Sequence, residues 1–228
     1  MLYRDDSAFA SPSRRALAAE LLVLAVLAAA FLVFFDARAG YVDLVLALVA
    51  VGMILAGGAR SRALWSLQDG FAAAPGNRLR RAAAAAAGFT AGSLLVLAAI
   101  GGALAFRDAG LHAVLARLAN PNLPIAVLLY LPWALLQQFV FQFYLLGRLL
   151  ALVPVNAAIA LTASAFAAVH YPRAPVMVVT LVAGAVWAVL YRRFRSLLPL
   201  AVSHALLGAA LHYWVFGRDL VAVWLGAH

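Results

Sequence analysis

The sequence predicts an all-α fold, a polytopic integral membrane protein built as a bundle of about seven to eight transmembrane helices. Two observations predict it. Of the 228 residues, 67% are hydrophobic and 11% are charged, whereas a soluble domain is about half apolar and about a quarter charged. The apolar residues also fall into long runs, several of them near the roughly 20 residues that a helix needs to cross a bilayer. The chain therefore has to fold in lipid.

Seven apolar runs are candidates for spans. They are residues 15–35, 41–57, 80–106, 122–150, 154–171, 174–191 and 197–216. A shorter apolar segment at 219–227 is predicted to be a half-span or an interfacial helix, which gives the upper count of eight. Residues 1–14 contain two aspartates and several serines but not the pattern of a cleaved signal peptide, so we expect a cytoplasmic tail. We expect the whole chain, 1–228, to form a single membrane domain.

All 17 basic residues are arginine, and their positions predict the orientation of the spans. With the N-terminus in the cytoplasm, 12 arginines fall on the cytoplasmic side, Arg148 among them, and five fall outside. This distribution agrees with the positive-inside rule. The flanking arginines also explain the net charge of +9, so we expect no nucleic-acid partner. The lack of Cys and Lys excludes disulfides, thiolate nucleophiles and Schiff-base chemistry.

Polar side chains inside a membrane span are costly and usually pair within the bundle. The informative ones are Gln137, Gln138 and Gln142 in the fourth predicted span, Thr162, Ser164 and His170 in the fifth, and Ser203, His204 and His212 in the seventh. None of the eight acids lies in the middle of the last four spans. This absence excludes zinc proteolysis of the HExxH type and an intramembrane aspartyl dyad, and it disfavours a carboxylate proton relay.

These residues also have structural interpretations. Glutamine often hydrogen-bonds between membrane helices. His170 lies at the end of its predicted span, and His212 is followed by two aromatic residues of the kind found at membrane interfaces. Gly88 and Gly92 form a GxxxG pair, which predicts close helix packing rather than ligand binding.

Two of the histidines belong to pairs with the same spacing. Phe166 precedes His170 by four residues, and His204 precedes Gly208 by four residues. The pairs resemble two motifs of the CPBP family, Phe-x-x-x-His and a later His-x-x-x-Asn/Asp, with Gly208 standing where Asn or Asp is usual. This family of intramembrane proteins comprises CAAX-prenyl endopeptidases and bacteriocin-processing and abortive-infection proteins.

The fourth span is similar to the family's first motif, Glu-Glu-x-x-x-Arg, in altered form. Gln137 and Gln138 stand at the two Glu positions, and Gln142 stands at the Arg position. The changes are mutually consistent, because an Arg retained without its acidic partners would be an unpaired buried charge. The resemblance covers roughly residues 120–215, the CPBP-like core.

The resemblance implies an intramembrane peptidase site. Its expected catalytic residues are Gln137, Gln138, His170 and His204, and its expected lining residues are Gln142, Phe166, Gly208 and His212. His170 would act alone as the base, because an amide oxygen is a very weak base. One of the paired glutamines would orient water or donate to the oxyanion, and His204 would be a second oxyanion donor.

Three functions are compatible with the sequence. The first is a divergent CPBP-type peptidase in the inner membrane of a bacterium, acting on a membrane-anchored or lipid-modified peptide. The second is a pseudoprotease whose cavity binds a peptide, a lipid tail or a partner helix. The third is a metal site of His170, His204 and His212, disfavoured because no acidic residue is available to orient them. We therefore expect no metal and no cofactor. A Ser–His dyad with Ser164 or Ser203 also stays open, and the sequence assigns no oligomeric state.

Overall fold

The computed structural model describes residues 13–33, 49, 52 and 77–224. All regular structure in those residues is helical, which confirms the all-α prediction. The elements are α1 (Arg14–Val33), α2 (Asn77–Leu118), α3 (Leu123–Gln138), the π-helix π1 (Phe139–Leu145), α4 (Leu146–Leu152), α5 (Val155–Ala168), α6 (Ala174–Phe194), α7 (Leu198–Ala210), the π-helix π2 (Leu211–Val215) and α8 (Leu220–Trp224).

Six of the seven predicted spans correspond to helices of the structure. The span at 41–57 lies outside the described residues apart from positions 49 and 52, as do residues 1–12 of the predicted tail and residues 225–227 of the last apolar segment. Four helical segments of the described part are long and apolar enough to cross a bilayer. They are Asn77–Leu118, Leu123–Leu152, Ala174–Phe194 and Leu198–Val215. The polytopic membrane fold is therefore confirmed, and the total of seven to eight spans stays a prediction.

The helix α2 extends beyond the predicted end of its span because the chain bends and then continues as helix. Ala109 (φ −154°) and Gly110 (φ 73°) leave the helical conformation. A positive φ is accessible to glycine without the clash that a Cβ would cause. The bend follows Arg107 and Asp108, whose exposed charges mark the end of the apolar run.

One continuous helical segment runs from Leu123 to Leu152 and changes its winding midway. α3 continues through Pro132, although a proline removes one backbone hydrogen bond. The winding changes to a π-helix at Phe139, directly after Gln138, and the π segment contains Gln142. Wide turns of this kind are frequent at functional sites.

Contacts along the chain divide it into two compact units, which are described separately. The first unit comprises Met1–Ala73 and Phe139–Arg195, and the second comprises Ala74–Gln138 and Ser196–His228. The predicted organisation of 1–228 as a single membrane domain stays a prediction.

The first unit has its core where α5 packs along α6. Gly184 allows the close approach, since a Cβ at this position would lie 3.1 Å from Cδ1 of Phe166 and 3.4 Å from Cα of Ala163. Trp187 and Tyr191 are buried on the same helix. This packing fixes the position of Phe166, the first residue of the Phe-x-x-x-His pair.

The second unit is built around α7, which packs against α2 and α3. α2 and π2 approach closely at Gly101, where a Cβ would overlap the backbone carbonyl of Trp214. The sequence predicted close packing at Gly88 and Gly92 instead. A Cβ added at either of those positions meets no atom within 4 Å, so the predicted packing is not found in the described part of the chain.

Asp219 joins π2, the start of α8 and the residue that precedes α3 through hydrogen bonds. Its carboxylate accepts hydrogen bonds from the Tyr213 hydroxyl at 2.6 Å, from Nδ2 of Asn122 at 2.7 Å and from the backbone N–H groups of Val221 and Ala222 at 3.0 and 3.1 Å. The hydroxyl of Tyr213, helped by the other donors, holds the pKa of Asp219 below its ordinary value against the opposing effect of desolvation. The carboxylate is therefore ionised at neutral pH.

Candidate functional site

The second unit brings together Gln138 and His204, two of the four predicted catalytic residues. Gln138 ends α3 with 1% of its surface exposed, and His204 on α7 is 4% exposed. Nε2 of the glutamine lies 3.4 Å from Nδ1 of the histidine. The hydroxyl of Tyr130, on the same helix as Gln138, lies 3.4 Å from Nε2 of the histidine. Both ring nitrogens of His204 therefore have a polar side chain at hydrogen-bonding distance.

Tyr130 is a residue that the sequence reasoning missed. Its ring meets the His204 ring edge-on, with centroids 5.6 Å apart and an interplanar angle of 88°. A Cβ at Gly208 would lie 2.7 Å from Cε1 of Tyr130, so the tyrosine ring occupies the space beside Gly208. A signal was available, because Tyr130 lies about two helical turns before Gln138 on one predicted span.

The side-chain carbonyl oxygens of the paired glutamines are buried hydrogen-bond acceptors to which no described group donates. Oε1 of Gln137 and Oε1 of Gln138 are buried, and neither has a hydrogen-bond partner among the described residues. A buried polar atom left in this state costs about 1–3 kcal/mol. Such acceptors are suited to an N–H group of a bound peptide or to a water molecule, as the sequence predicts for a site that positions water.

His212 makes a local contact on its own helix. Nδ1 of the ring lies 3.0 Å from the carbonyl oxygen of Gly208, to which it donates as the N–H tautomer. The ring also meets Phe216 edge-on, with centroids 5.7 Å apart. The prediction that His212 lines the site stays a prediction.

The first unit holds the Phe-x-x-x-His pair. Nδ1 of His170 lies 2.8 Å from the carbonyl oxygen of Phe166, and only an N–H can bond a carbonyl there, so the neutral ring has its lone pair on Nε2. The Phe166 ring meets the imidazole edge-on at 5.1 Å and the Trp187 ring at 5.8 Å. The carbonyl oxygen of Phe166 thus fixes a tautomer that can accept a proton on Nε2, and the Phe166 ring packs against the imidazole.

Gln142 is also placed in the first unit. It is 1% exposed, and its Nε2 lies 3.5 Å from the carbonyl oxygen of Gly184. Its Oε1 is buried without a hydrogen-bond partner in the described residues. The amide therefore connects π1 to α6 near the point where Gly184 packs on Phe166.

The first unit contains a buried ion pair that the sequence reasoning did not find. Arg148 was predicted to be a cytoplasmic flanking residue, but its side chain is 2% exposed and lies 3.2 Å from the Glu20 carboxylate. The Tyr144 hydroxyl donates to the same carboxylate oxygen, and the guanidinium carbon lies 4.9 Å from the Tyr144 ring centroid. Glu20 is the one acid within the first predicted span, so its need for a buried partner was a readable signal.

A groove of about 570 Å³ lies between α2 and α7 in the second unit, lined by residues within 79–94 and 198–206. Thr90 and Ser203 are its polar residues, and their hydroxyl oxygens lie 2.7 Å apart. Ser164, the other serine considered for a Ser–His dyad, is exposed on α5.

The geometry does not support a metal site of three histidines. Within residues 13–33 and 77–224, no three His, Cys, Asp or Glu side chains are grouped as a metal ion requires. The alternative built on His170, His204 and His212 therefore has no support in the described chain.

Residues 118–210 match the family model of the type II CAAX prenyl endopeptidases, described as Rce1-like. This segment is Rce1-like. It includes seven of the eight predicted site residues, all but His212, and it confirms the resemblance to the CPBP family. By this match, residues 118–210 are similar to intramembrane proteins of the CAAX-protease type. No curated protein and no solved structure is significantly similar to the chain.

Proposed function

We propose that the chain is a divergent CPBP-type intramembrane peptidase that cleaves a membrane-anchored or lipid-modified peptide. The observation that carries the proposal is the state of two histidines within the Rce1-like segment. His170 is held by the carbonyl oxygen of Phe166 with its lone pair on Nε2, as a general base requires. His204 is held between Gln138 and Tyr130, as a group that stabilises a developing charge requires.

The proposed reaction uses one water molecule. Nε2 of His170 takes a proton from the water while the water oxygen attacks the carbonyl carbon of the scissile peptide. His204 is proposed to belong to the group that stabilises the negative charge developing on the carbonyl oxygen. His170 then gives its proton to the leaving amine as the C–N bond breaks. The unpartnered carbonyl oxygens of Gln137 and Gln138 are suited to orient the water or a substrate N–H.

The groove between α2 and α7 supports a lipid-modified substrate. It is apolar except for the Thr90–Ser203 pair, and Ser203 is adjacent to His204 on α7. A lipid chain attached to the peptide matches the apolar chemistry of such a groove. In this proposal the groove selects the lipid and the polar residues act on the peptide.

The test is cleavage by the purified protein in lipid, with matched lipidated and unmodified membrane-tethered peptides. His170→Ala is expected to lower the rate by about 10²–10⁴-fold, the usual contribution of a general base. His112→Ala, an exposed histidine outside the Rce1-like segment, is the matched control and should cleave like the unchanged protein. Cleavage that survives His170→Ala would exclude this histidine as the base.

The same assay measures selectivity for the lipid by comparing the cleavage rates of the lipidated and the unmodified peptide. Ala87→Leu narrows the groove and should slow cleavage of the lipidated peptide more than that of the unmodified one. Ala99→Leu changes an exposed residue of α2 that does not line the groove, and it should slow neither. Equal effects of both variants would argue against a lipid in this groove.

A pseudoprotease is the second candidate, because amides stand where the family has carboxylates. It predicts no cleavage by the unchanged protein and cleavage after Gln137→Glu, Gln138→Glu and Gln142→Arg are combined. Cleavage by the unchanged protein that depends on His170 would exclude this candidate.

A further inference from the structure

Three polar side chains of the second unit form a hydrogen-bond chain with one direction. Nε2 of Gln138 faces Nδ1 of His204, and an amide nitrogen only donates, so Nδ1 accepts. A neutral imidazole then has its hydrogen on Nε2, which faces the Tyr130 oxygen at 3.4 Å. The Tyr130 O–H is the last donor of the chain, and among the described residues its hydroxyl has no further hydrogen-bond partner.

The tyrosine reaches this position because residue 208 has no side chain. A Cβ at Gly208 would lie 2.7 Å from Cε1, 3.4 Å from Cδ1 and 3.5 Å from Cζ of Tyr130. Any side chain there would therefore push the ring away from His204. Gly208 lies one helical turn after His204 on α7, so the glycine, the histidine and the tyrosine form one packed group.

We infer that Tyr130 is a catalytic residue whose hydroxyl donates to the carbonyl oxygen of the scissile peptide as negative charge develops on it. His204 orients the hydroxyl by donating from Nε2 to its oxygen, and Gln138 fixes the histidine proton on that nitrogen. No covalent bond to Tyr130 forms or breaks, and the tyrosine keeps its own proton throughout. The inference rests on the proposed peptidase function and identifies which atom of that site meets the oxyanion.

The amide of Gln138 sets the donor-to-acceptor direction of this hydrogen-bond chain. A carboxylate at this position accepts hydrogen bonds only, so it would take the hydrogen on Nδ1 and leave the lone pair on Nε2. The Tyr130 O–H would then donate to His204 instead of to a substrate. Gln138→Glu is therefore expected to reverse the direction of the hydrogen bonds from residue 138 through His204 to Tyr130. Gln138→Asn keeps an amide donor on a shorter side chain.

The direction of the chain can be measured without catalysis. Nitrogen NMR of histidine-labelled protein in lipid, with the His204 signals assigned by their loss in His204→Gln, distinguishes the two tautomers. We expect the hydrogen on Nε2 in the unchanged protein, on Nδ1 in Gln138→Glu, and a changed Nε2–H signal in Tyr130→Phe. A hydrogen on Nδ1 in the unchanged protein, or a His204 spectrum unaffected by Tyr130→Phe, would overturn the inference.

The catalytic role is tested by cleavage of the lipidated peptide. Tyr130→Phe keeps the ring and removes the hydroxyl, and it is expected to lower kcat by about 10²–10³-fold, the usual loss for one oxyanion donor, with KM little changed. Tyr191→Phe makes the same change at a buried tyrosine of α6 and should leave kcat unchanged. Full activity of Tyr130→Phe would remove Tyr130 from the reaction.

A second pair of variants separates packing from chemistry. Gly208→Asn alone should abolish activity by displacing the Tyr130 ring. Tyr130→Ala combined with Gly208→Asn frees that space for an amide donor and should recover activity above either single variant. No recovery would contradict the role of the hydroxyl as a donor. If the NMR result holds and no variant or unchanged protein cleaves any peptide, the proposed peptidase fails while the directed chain stands.

Discussion

At the scale of single residues, Arg148 illustrates how membrane burial changes the role of a charge. Its guanidinium is almost fully enclosed and shares the Glu20 carboxylate with the Tyr144 hydroxyl. Taking two charges out of water costs several kcal/mol per ion, which their attraction repays only with good geometry and further hydrogen bonds. The pair joins α1 to α4, so we interpret it as a structural anchor.

The anchor gives a prediction about stability. Arg148→Met alone should lower the free energy of unfolding by about 3 kcal/mol, the low end for a broken buried pair, because the partly buried Glu20 carboxylate loses its cation but keeps the Tyr144 hydroxyl. Adding Glu20→Leu should recover most of that loss. Denaturant unfolding in mixed micelles measures both. The control is Asp108→Ala at the Arg107–Asp108 pair, whose side chains are 76% and 51% exposed and where a change costs about 0–1 kcal/mol. Additive losses in the Arg148–Glu20 double variant would contradict the ion-pair interpretation.

At the scale of helices, glycine positions in α2 differ in consequence although their sequence context is similar. Gly88 and Gly92 face open space, whereas a Cβ at Gly101 would overlap the Trp214 carbonyl. Small residues allow membrane helices to approach closely, but the motif alone does not say which of several small residues are used. The contact between α2 and π2 therefore depends on Gly101.

The difference between these glycines is measurable. Gly101→Ala should lower the stability of the protein by about 1–3 kcal/mol through overpacking, although alanine favours the helix by about 1 kcal/mol. Gly88→Ala has the same higher helix propensity, and its Cβ meets no neighbouring atom, so it should leave the stability unchanged or raise it. Thermal unfolding in lipid or detergent compares the two. Equal stabilities would mean that α2 and π2 can move apart without cost.

Winding is a second property of the helices that hydropathy does not predict. The apolar runs at 174–191 and 197–216 predicted α6 and the α7–π2 segment within a few residues. The same pattern carried no sign of π1, because a π-helix keeps the residue types of an α-helix and changes only the hydrogen-bond register. The change of winding that separates Gln138, at the end of α3, from Gln142, within π1, is therefore not predictable from the sequence pattern.

At the scale of the whole molecule, the sequence predicted contacts between residues of one helix and missed contacts between helices. The four-residue spacing of Phe166 and His170 was enough to predict that they lie together, because the two residues contact each other at the end of one helix. Tyr130 and Arg148 were missed, because their roles depend on which helix packs beside them. The contact of Tyr130 with Gly208 spans most of the Rce1-like segment, and nothing local to either residue predicts it.

The orientation of the chain in the membrane is the remaining prediction for the whole molecule. The distribution of arginines places the N-terminus in the cytoplasm, and a chain without cysteine allows a direct test. Single cysteines at the exposed residues Ser13, Arg107 and Arg193 are exposed to a maleimide that does not cross membranes. In intact bacterial cells we expect Arg107→Cys to react, and Ser13→Cys and Arg193→Cys to react only after permeabilisation.

The control for labelling is Val96→Cys, which lies on an exposed apolar part of α2 and should stay protected by lipid in both conditions. Reaction of Ser13→Cys and Arg193→Cys in intact cells, with protection of Arg107→Cys, would invert the orientation. The arginines that follow α6 would then lie outside, against the bias that sets the topology of most membrane proteins. Reaction of Ser13→Cys and Arg193→Cys on opposite sides would show that the number of spans between them is odd rather than even.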